Sequence, residues 1–392
     1  MRIRITYLAT VIIAVLLVYV GHRIAVQGLF VFQDHSRELV SATVQVITER
    51  IQPGDRFEFI DEYDIDGDFL PLMGGQIIFE ARVRSGPRRG DIITASQSLG
   101  RFLVTGSKEV EAGDSVLLLY NIMHPDDPGS WVFNGYLRTN RLLVLGALFA
   151  LCVLFFGGKK GFNTILSLVL TCAAVFAVFI PSMLSGKNIY AMALLVCAYT
   201  TIVTLLLVVG FNKKALAAAV GCFSGILAAG IITVIMDRVL FLTGIVDEHS
   251  RFLASLPVAA QINLKAIIFA GIIIGAMGAV MDVAMSIASS LWEIKQKAEA
   301  IKFETLFRSG MNIGRDIMGS MANTLILAYI GSALSVILIL SVYSNSLLEL
   351  LNREMIVVEI LQALAGSFGI LLAIPLTALF SATFYLKKDQ AG

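Results

Sequence analysis

Charge is scarce in this sequence, and cysteine is absent from its polar part. Only 15% of the 392 residues are charged and 57% are hydrophobic, whereas soluble domains carry about 25% charge. The shortage is uneven. Charge-free runs occupy Ile5–Gly21, Leu142–Gly158, Gly161–Gly186, Asn188–Asn212, Ala215–Met236 and Ile360–Leu386. A bilayer span needs about 20 apolar residues, and most of these runs supply them. A soluble multidomain enzyme is therefore excluded. All four cysteines, Cys152, Cys172, Cys197 and Cys222, lie in apolar runs. That excludes a disulfide framework outside the membrane and suggests buried structural thiols.

Catalytic signatures are also missing. The four histidines, His22, His35, His124 and His249, lie outside the apolar runs or at their edges. Neither a His-Glu-x-x-His zinc site nor a Ser–His dyad inside the membrane can be drawn from them. There is no Walker motif, so no ATP site is expected. The sequence context of Asp282 and Asp316 is not that of an intramembrane aspartyl protease. These absences point away from an enzyme, and no cofactor or metal is expected.

What is present is a series of spans. Besides the uninterrupted runs, Leu264–Ser290 contains Asp282, and Gly310–Tyr343 contains Arg315 and Asp316. With the last helix starting near Met355, eight transmembrane helices are expected. The first run follows Arg2 and Arg4 and lacks a convincing cleavage site, so it reads as a retained signal anchor with a cytoplasmic N-terminus. Lys159-Lys160, Lys213-Lys214, Lys295–Arg308 and Lys387-Lys388 fall at every second connection, the pattern expected of cytoplasmic loops. Both termini are then expected inside, with residues 30–140 on the outer side of a bacterial cell membrane. The expected organisation is a signal-anchor helix over 1–29, an outer domain over 30–140 and a seven-helix membrane domain over 141–392.

The outer stretch is acidic, with 17 Asp/Glu against 10 Lys/Arg between Phe30 and Asn140. A nucleic-acid partner is excluded, because phosphate binding needs a basic surface. Alternating segments at Leu39–Thr48, Gln76–Arg84, Asp114–Tyr120 and Trp131–Arg138 are separated by turn signals such as Gly86-Pro87 and Ala112-Gly113-Asp114. They read as a small all-β domain, an OB-like or SH3-like barrel inserted between helices 1 and 2. The acidic run Asp61–Asp68 invites a calcium reading, but the twelfth loop position would be Met73, where a bidentate Glu is needed. A solvated acidic loop is the alternative.

Two neighbouring spans carry the polar residues. On the sixth, Gly271, Gly275, Gly278, Asp282, Ser286 and Ser289 recur at helical spacing. On the seventh, Asn312, Asp316, Gly319 and Asn323 do the same, beside Arg315. Small residues let helices approach closely and polar ones avoid lipid, so both stripes are expected to face inward. Asp282 lies about 12 Å along its helix from Ser290, and Asp316 about 9 Å from Gly310. Asp282, Arg315 and Asp316 are thus expected at similar depth. An unpaired charge near a helix centre costs about 2.5–3.5 kcal/mol. Two readings follow: an Arg315–carboxylate pair that locks two helices, or a substrate, ion or proton path through Asp282, Asn312, Arg315, Asp316 and Asn323. Gly221 and Gly225, with Ala217 and Ala229, form a further packing face. Pro375 should kink or loosen the last helix. Leu291–Ser309 reads as a short amphipathic cytoplasmic helix.

The run Gly275-Ala-Met-Gly-Ala-Val-Met-Asp-Val-Ala-Met-Ser-Ile-Ala-Ser-Ser-Leu-Trp-Glu293 closely resembles the YibE/F-like family of bacterial membrane proteins. So do Leu306-Phe-Arg-Ser-Gly-Met-Asn-Ile-Gly-Arg-Asp-Ile-Met-Gly-Ser-Met-Ala-Asn-Thr-Leu-Ile-Leu-Ala-Tyr329 and Leu364-Ala-Gly-Ser-Phe-Gly-Ile-Leu-Leu-Ala-Ile-Pro-Leu-Thr377. The resemblance spans about residue 140 to the C-terminus. It implies a multi-span bacterial membrane protein and assigns no substrate. The functional expectation is a secondary transporter or permease for a small molecule or ion. The alternative is a membrane scaffold or sensor whose outer domain binds an envelope partner. The partners expected are the lipid bilayer, the transported solute, and a homo-oligomeric or envelope protein partner.

Overall fold

A computed structural model describes residues 2–27, 38–51, 75–99, 108–120, 131–255, 262–298, 301–343 and 346–386. The acidic run Asp61–Asp68 and Lys387-Lys388 lie outside the described residues. The chain divides into two compact units, one of Met1–Phe30 with Cys152–Gly392 and one of Val31–Leu151.

The smaller unit contains a closed five-stranded barrel: β1 (Leu39–Ile51), β2 (Gly75–Val83), β3 (Ile92–Leu99), β4 (Ser115–Tyr120) and β5 (Trp131–Tyr136). Around the barrel the order is β1-β2-β3-β5-β4. The β3–β5 pairing is parallel and the others are antiparallel. Alternation decides what points inward: Val40, Ala42 and Val44 from β1 meet Ile77, Phe79, Ala81 and Val83 from β2 in one buried core. Register shifts between Val44 and Val46 and between Ile47 and Glu49 let the long β1 bend around the barrel. Among the described residues the barrel core holds one buried side-chain amide, Gln97. Its oxygen accepts from the Val110 N–H at 2.9 Å, and its nitrogen donates to the Lys108 carbonyl at 3.2 Å.

The larger unit is helical. Its elements are α1 (Arg2–Ala25), α2 (Thr139–Ala173) continuing through a π-helical turn at Ala174–Phe179 into α3 (Ile180–Leu184), α4 (Ile189–Val208), α5 (Lys213–Val239), α6 (Glu248–Ser255), α7 (Leu264–Lys297), α8 (Phe303–Ser332), α9 (Leu334–Tyr343), α10 (Leu347–Leu351) and α11 (Glu354–Leu386). Among the described residues, six helices are long and apolar enough to cross a membrane, or seven if α8 and α9, bent by 60°, form one span. The runs expected as separate spans at Leu142–Gly158 and Gly161–Gly186 form one 46-residue helical stretch. It is interrupted at Gly158, whose φ of 53° and ψ of −126° are not helical. A Cβ on Gly161 would collide with the Val153 carbonyl. Residues eight apart in a straight helix stand about 12 Å apart, so the chain turns back sharply at Gly158.

Asparagines open several helices. Asn188, Asn212 and Asn263 each accept from the N–H three residues on, at 3.1, 2.8 and 3.2 Å, starting α4, α5 and α7. The centre is the trio α5, α7 and α11, with α4 against α5 and α7, and α8 against α7 and α11. Glycine permits this closeness. A Cβ on Gly221 would run into the Thr377 hydroxyl, and one on Gly225 would stand 2.7 Å from the Gly369 carbonyl. α1 packs beside the π turn and α4, where His22 Nδ1 lies 2.6 Å from the Ala177 carbonyl oxygen and the Tyr199 hydroxyl donates to the Ala14 carbonyl at 3.1 Å.

Several expectations need correction. No separate amphipathic helix occupies Leu291–Ser309: α7 continues to Lys297 and α8 begins at Phe303. Leu291 and Leu306, within that stretch, are fully buried core residues. Trp292 packs edge-on against Tyr385, ring centres 5.0 Å apart. Cys197 and Cys222 are buried, but Cys152 and Cys172 are exposed. Pro375 lies inside α11, as expected of the last helix.

Candidate functional site

The polar residues of α7 and α8 are in place, but their direction differs from expectation. α7 buries Ile272, Ile273, Ala276, Val280, Ala284 and Ile287 against its neighbours. Gly271, Gly275, Gly278, Asp282 and Ser286 are exposed on the opposite side, with Ser289 at its margin. α8 buries only Leu306, Gly310, Gly314 and Leu325. Its Asn312, Arg315, Asp316, Gly319 and Asn323 are all exposed. The inward expectation fails for a packing reason. α5 and α11 meet α7 on its alanine and isoleucine side, and α8 rests on α11 through Gly310 and Gly314.

The relative height of the charges also differs. Two contacts set the antiparallel register of α7 and α8. A Cβ on Gly275 would stand 2.5 Å from the Tyr329 hydroxyl, and one on Gly310 would stand 2.9 Å from Leu291 Cδ1. Asp282 is seven residues after Gly275 and nine before Leu291, which places it level with Gly319 to Ala322 on α8. Arg315 therefore lies about 6–10 Å nearer the connecting loop, at about 1.5 Å per residue. Asn323 is the expected site residue nearest in height to Asp282. Among the described residues, no ion pair joins Arg315 to Asp282 or to Asp316.

The glycines divide into two kinds. Gly221, Gly225, Gly310, Gly314, Gly366 and Gly369 sit where a Cβ would press on a neighbouring helix. The last four carried no assignment from the sequence, although their spacings of four and three residues are those of helix-packing faces. Gly271, Gly278 and Gly319 have nothing within 4 Å of a built Cβ. They border open space on the same exposed faces as the charges.

A second polar group was missed. Tyr329 of α8 and Gln362 of α11 converge on Gly275. A cleft of about 180 Å³ beside them, at the bend between α8 and α9, is lined by Tyr329 and half-buried Glu359 among apolar side chains. At one edge of the trio, Lys214 Nζ donates to the Ser289 hydroxyl at 3.2 Å, which ties α5 to the foot of the α7 stripe. Among the described residues, no three His, Cys, Asp or Glu side chains gather as metal ligands do.

Comparison with curated proteins returns no match, and neither does comparison with solved structures. The family model described as YibE/F-like protein matches residues 145–387. That match covers most of the helical unit, including the whole of α7, α8 and α11, and the chain belongs to the YibE/F-like family.

Proposed function

We propose that this protein is a secondary transporter or channel-like permease of the bacterial cytoplasmic membrane, with eight spans and both termini inside. In this reading the turn at Gly158 separates the second span from the third, and α8 with α9 makes one broken span. The barrel order β1-β2-β3-β5-β4 suits a five-stranded Greek-key barrel of the OB type on the outer side. A small solute or ion would pass along the polar face of α7 and α8, with Asp282 the titratable or ion-binding group and Asn312, Arg315, Asp316 and Asn323 lining the route.

One observation carries this reading. Asp282 stands on an exposed face of a membrane-length helix and has no counter-ion within the chain among the described residues. Carboxylates held in such positions characteristically serve substrate, ion or proton paths. The scaffold reading needs the charges saturated by one another, and the one-to-two-turn offset between Arg315 and Asp282 weighs against it.

The test is flux. A deletion strain screened over ions and metabolites identifies a cargo, and purified protein in proteoliposomes then measures it. Asp282→Asn should abolish flux while leaving the melting temperature within about 1 °C. Unchanged flux in Asp282→Asn would remove Asp282 from the path.

A further inference from the structure

We propose that the polar face of α7 and α8 is completed by a second copy of this chain, packed stripe against stripe, with Arg315 of each copy answering Asp316 of the other and Asp282 enclosed in the seam without a counter-ion. The pairing deepens the transport reading and rests on it only for its purpose; its geometry stands by itself.

The first ground is direction. At about 100° per residue, the α7 stripe points away from the side that meets α5 and α11. On α8 the polar stripe is opposite the narrow seam of Leu306, Gly310, Gly314 and Leu325. Both faces leave the protein at membrane depth, where lipid is the alternative neighbour. Three formal charges and two amides facing hydrocarbon would each incur a penalty, about 2.5–3.5 kcal/mol per charge near a helix centre.

The second ground is room. Gly271, Gly278 and Gly319 have open space above them, so a helix from outside can approach the backbone closely on this face. Gly275 on the same stripe is taken by Tyr329 of α8, while Gly221, Gly225, Gly310, Gly314, Gly366 and Gly369 pack within the chain at contacts among α5, α7, α8 and α11.

The third ground is charge, and it selects the partner. The face carries Arg315 and Asp316 at one height, with Asp282 one to two turns away. A partner of one sign would leave the other sign unmatched. A two-fold interface is self-complementary, because whatever residue i meets on the partner meets residue i in return. With the axis along the membrane normal, residues of equal height meet, so a second copy supplies the Arg315 guanidinium for each Asp316 carboxylate and the reverse.

The experiment uses the full chain in lipid nanodiscs and vesicles, with Cys152, Cys172, Cys197 and Cys222 replaced. Gly278→Cys and Asn323→Cys, on the open face, should each form a disulfide-linked dimer under mild oxidant. Ile231→Cys, exposed on α5, should form little, at least tenfold less. In native mass spectra, Arg315→Glu should dissociate the dimer. Mixing it with Asp316→Arg should restore a mixed dimer. A monomer in the bilayer, equal cross-linking at Ile231→Cys, or an undisturbed dimer in folded Arg315→Glu would each overturn the pairing. If Arg315→Glu does not fold, the cysteine comparison decides alone, because its charges are native. A cross-linked dimer with no flux of any solute would sink the transport reading and leave the pairing. Flux from a monomer would do the reverse.

Discussion

Glu354, the first residue of α11, grips Thr243 across 111 residues of sequence. One carboxylate oxygen accepts from the Thr243 N–H at 2.7 Å and the Gly244 N–H at 2.8 Å, and the other accepts from the Thr243 hydroxyl at 2.8 Å. This fastens the loop after α5 to the head of α11, at the end of two of the three central helices. Bonds to a charged acceptor contribute about 1.5–3 kcal/mol each. Glu354 is only partly buried, so the lower part of that range applies to the group as a whole. Glu354→Ala should therefore lower stability in detergent by about 1–3 kcal/mol. Thr243→Val, which removes one bond of three, should cost about 0.5–1.5 kcal/mol. Thermal melts of the two variants check this, and equal melting of Glu354→Ala and wild type would show that the grip holds nothing.

The two kinds of glycine predict opposite outcomes for one substitution. Gly221→Ala drives a methyl into the Thr377 hydroxyl at the α5–α11 contact, beside backbone. Overpacking of this kind costs about 1–3 kcal/mol. Within a single copy, in monomeric detergent-solubilised protein, Gly271→Ala meets open space and gains helix propensity, up to about 1 kcal/mol in a helix interior. A melting series in one detergent should separate them clearly. If Gly271→Ala were the more damaging, the packing assignment would be reversed.

How much of this was legible in the sequence depends on what each pattern encodes. The spans α4, α5, α7 and α11 were readable because charge-free runs of membrane length admit little else. The barrel was readable because Val40, Ala42 and Val44 alternate with polar neighbours. The stripes of α7 and α8 were correctly grouped, since helical spacing says which residues share a face. Periodicity does not say which face is turned to the core when both are apolar enough to be buried. That choice was made by α5 and α11, whose glycines at 221, 225 and 369 bring them onto the Ala276–Val280–Ala284 side. Depth failed for a related reason. Register was counted from helix ends guessed at Ser290 and Gly310, but the contacts that set it are Gly275 with Tyr329 and Gly310 with Leu291.

Acid should weaken the short helix α6. Asp247 precedes it and accepts from the Ser250 N–H at 2.7 Å, while its own N–H donates to the Ser250 hydroxyl at 2.9 Å. Partial burial alone would raise the Asp247 carboxyl. The Ser250 hydrogen bonds and the nearby His249 outweigh it and leave the group below the ordinary carboxylate range. A depressed carboxyl adds stability above its unfolded value of about 3.9 and loses it as pH falls through the folded value. Protection of α6 amides against hydrogen exchange should therefore drop below about pH 4. In Asp247→Ala it should already be lower at neutral pH, by a cap's worth of about 0.5–2 kcal/mol. Protection that does not change between wild type and Asp247→Ala would discount the cap.

The barrel should fold without the membrane unit, since Val31–Leu151 is compact by itself and has its own core. Residues 31–138, produced alone, should give a β-type circular dichroism spectrum and a cooperative melt that reductant does not shift, because no cysteine lies in that range. Gln97 tests whether this fold is the one described. Its amide joins β3 to the segment before β4, through the Val110 N–H and the Lys108 carbonyl, and it is 1% exposed. Gln97→Leu keeps the volume but strands the buried Val110 N–H, which costs about 1–3 kcal/mol, while the Lys108 carbonyl keeps the Tyr136 hydroxyl as donor at 2.6 Å. Gln97→Glu keeps the acceptor for Val110, loses the donor for Lys108 and buries a carboxylate. Both should be destabilised, with Gln97→Glu recovering part of its loss as pH is lowered and the acid regains a proton to donate. Ser98→Cys, next along the strand and exposed, should melt as wild type does. If Gln97→Leu melted no lower than Ser98→Cys, the buried amide would not be the link between β3 and the approach to β4.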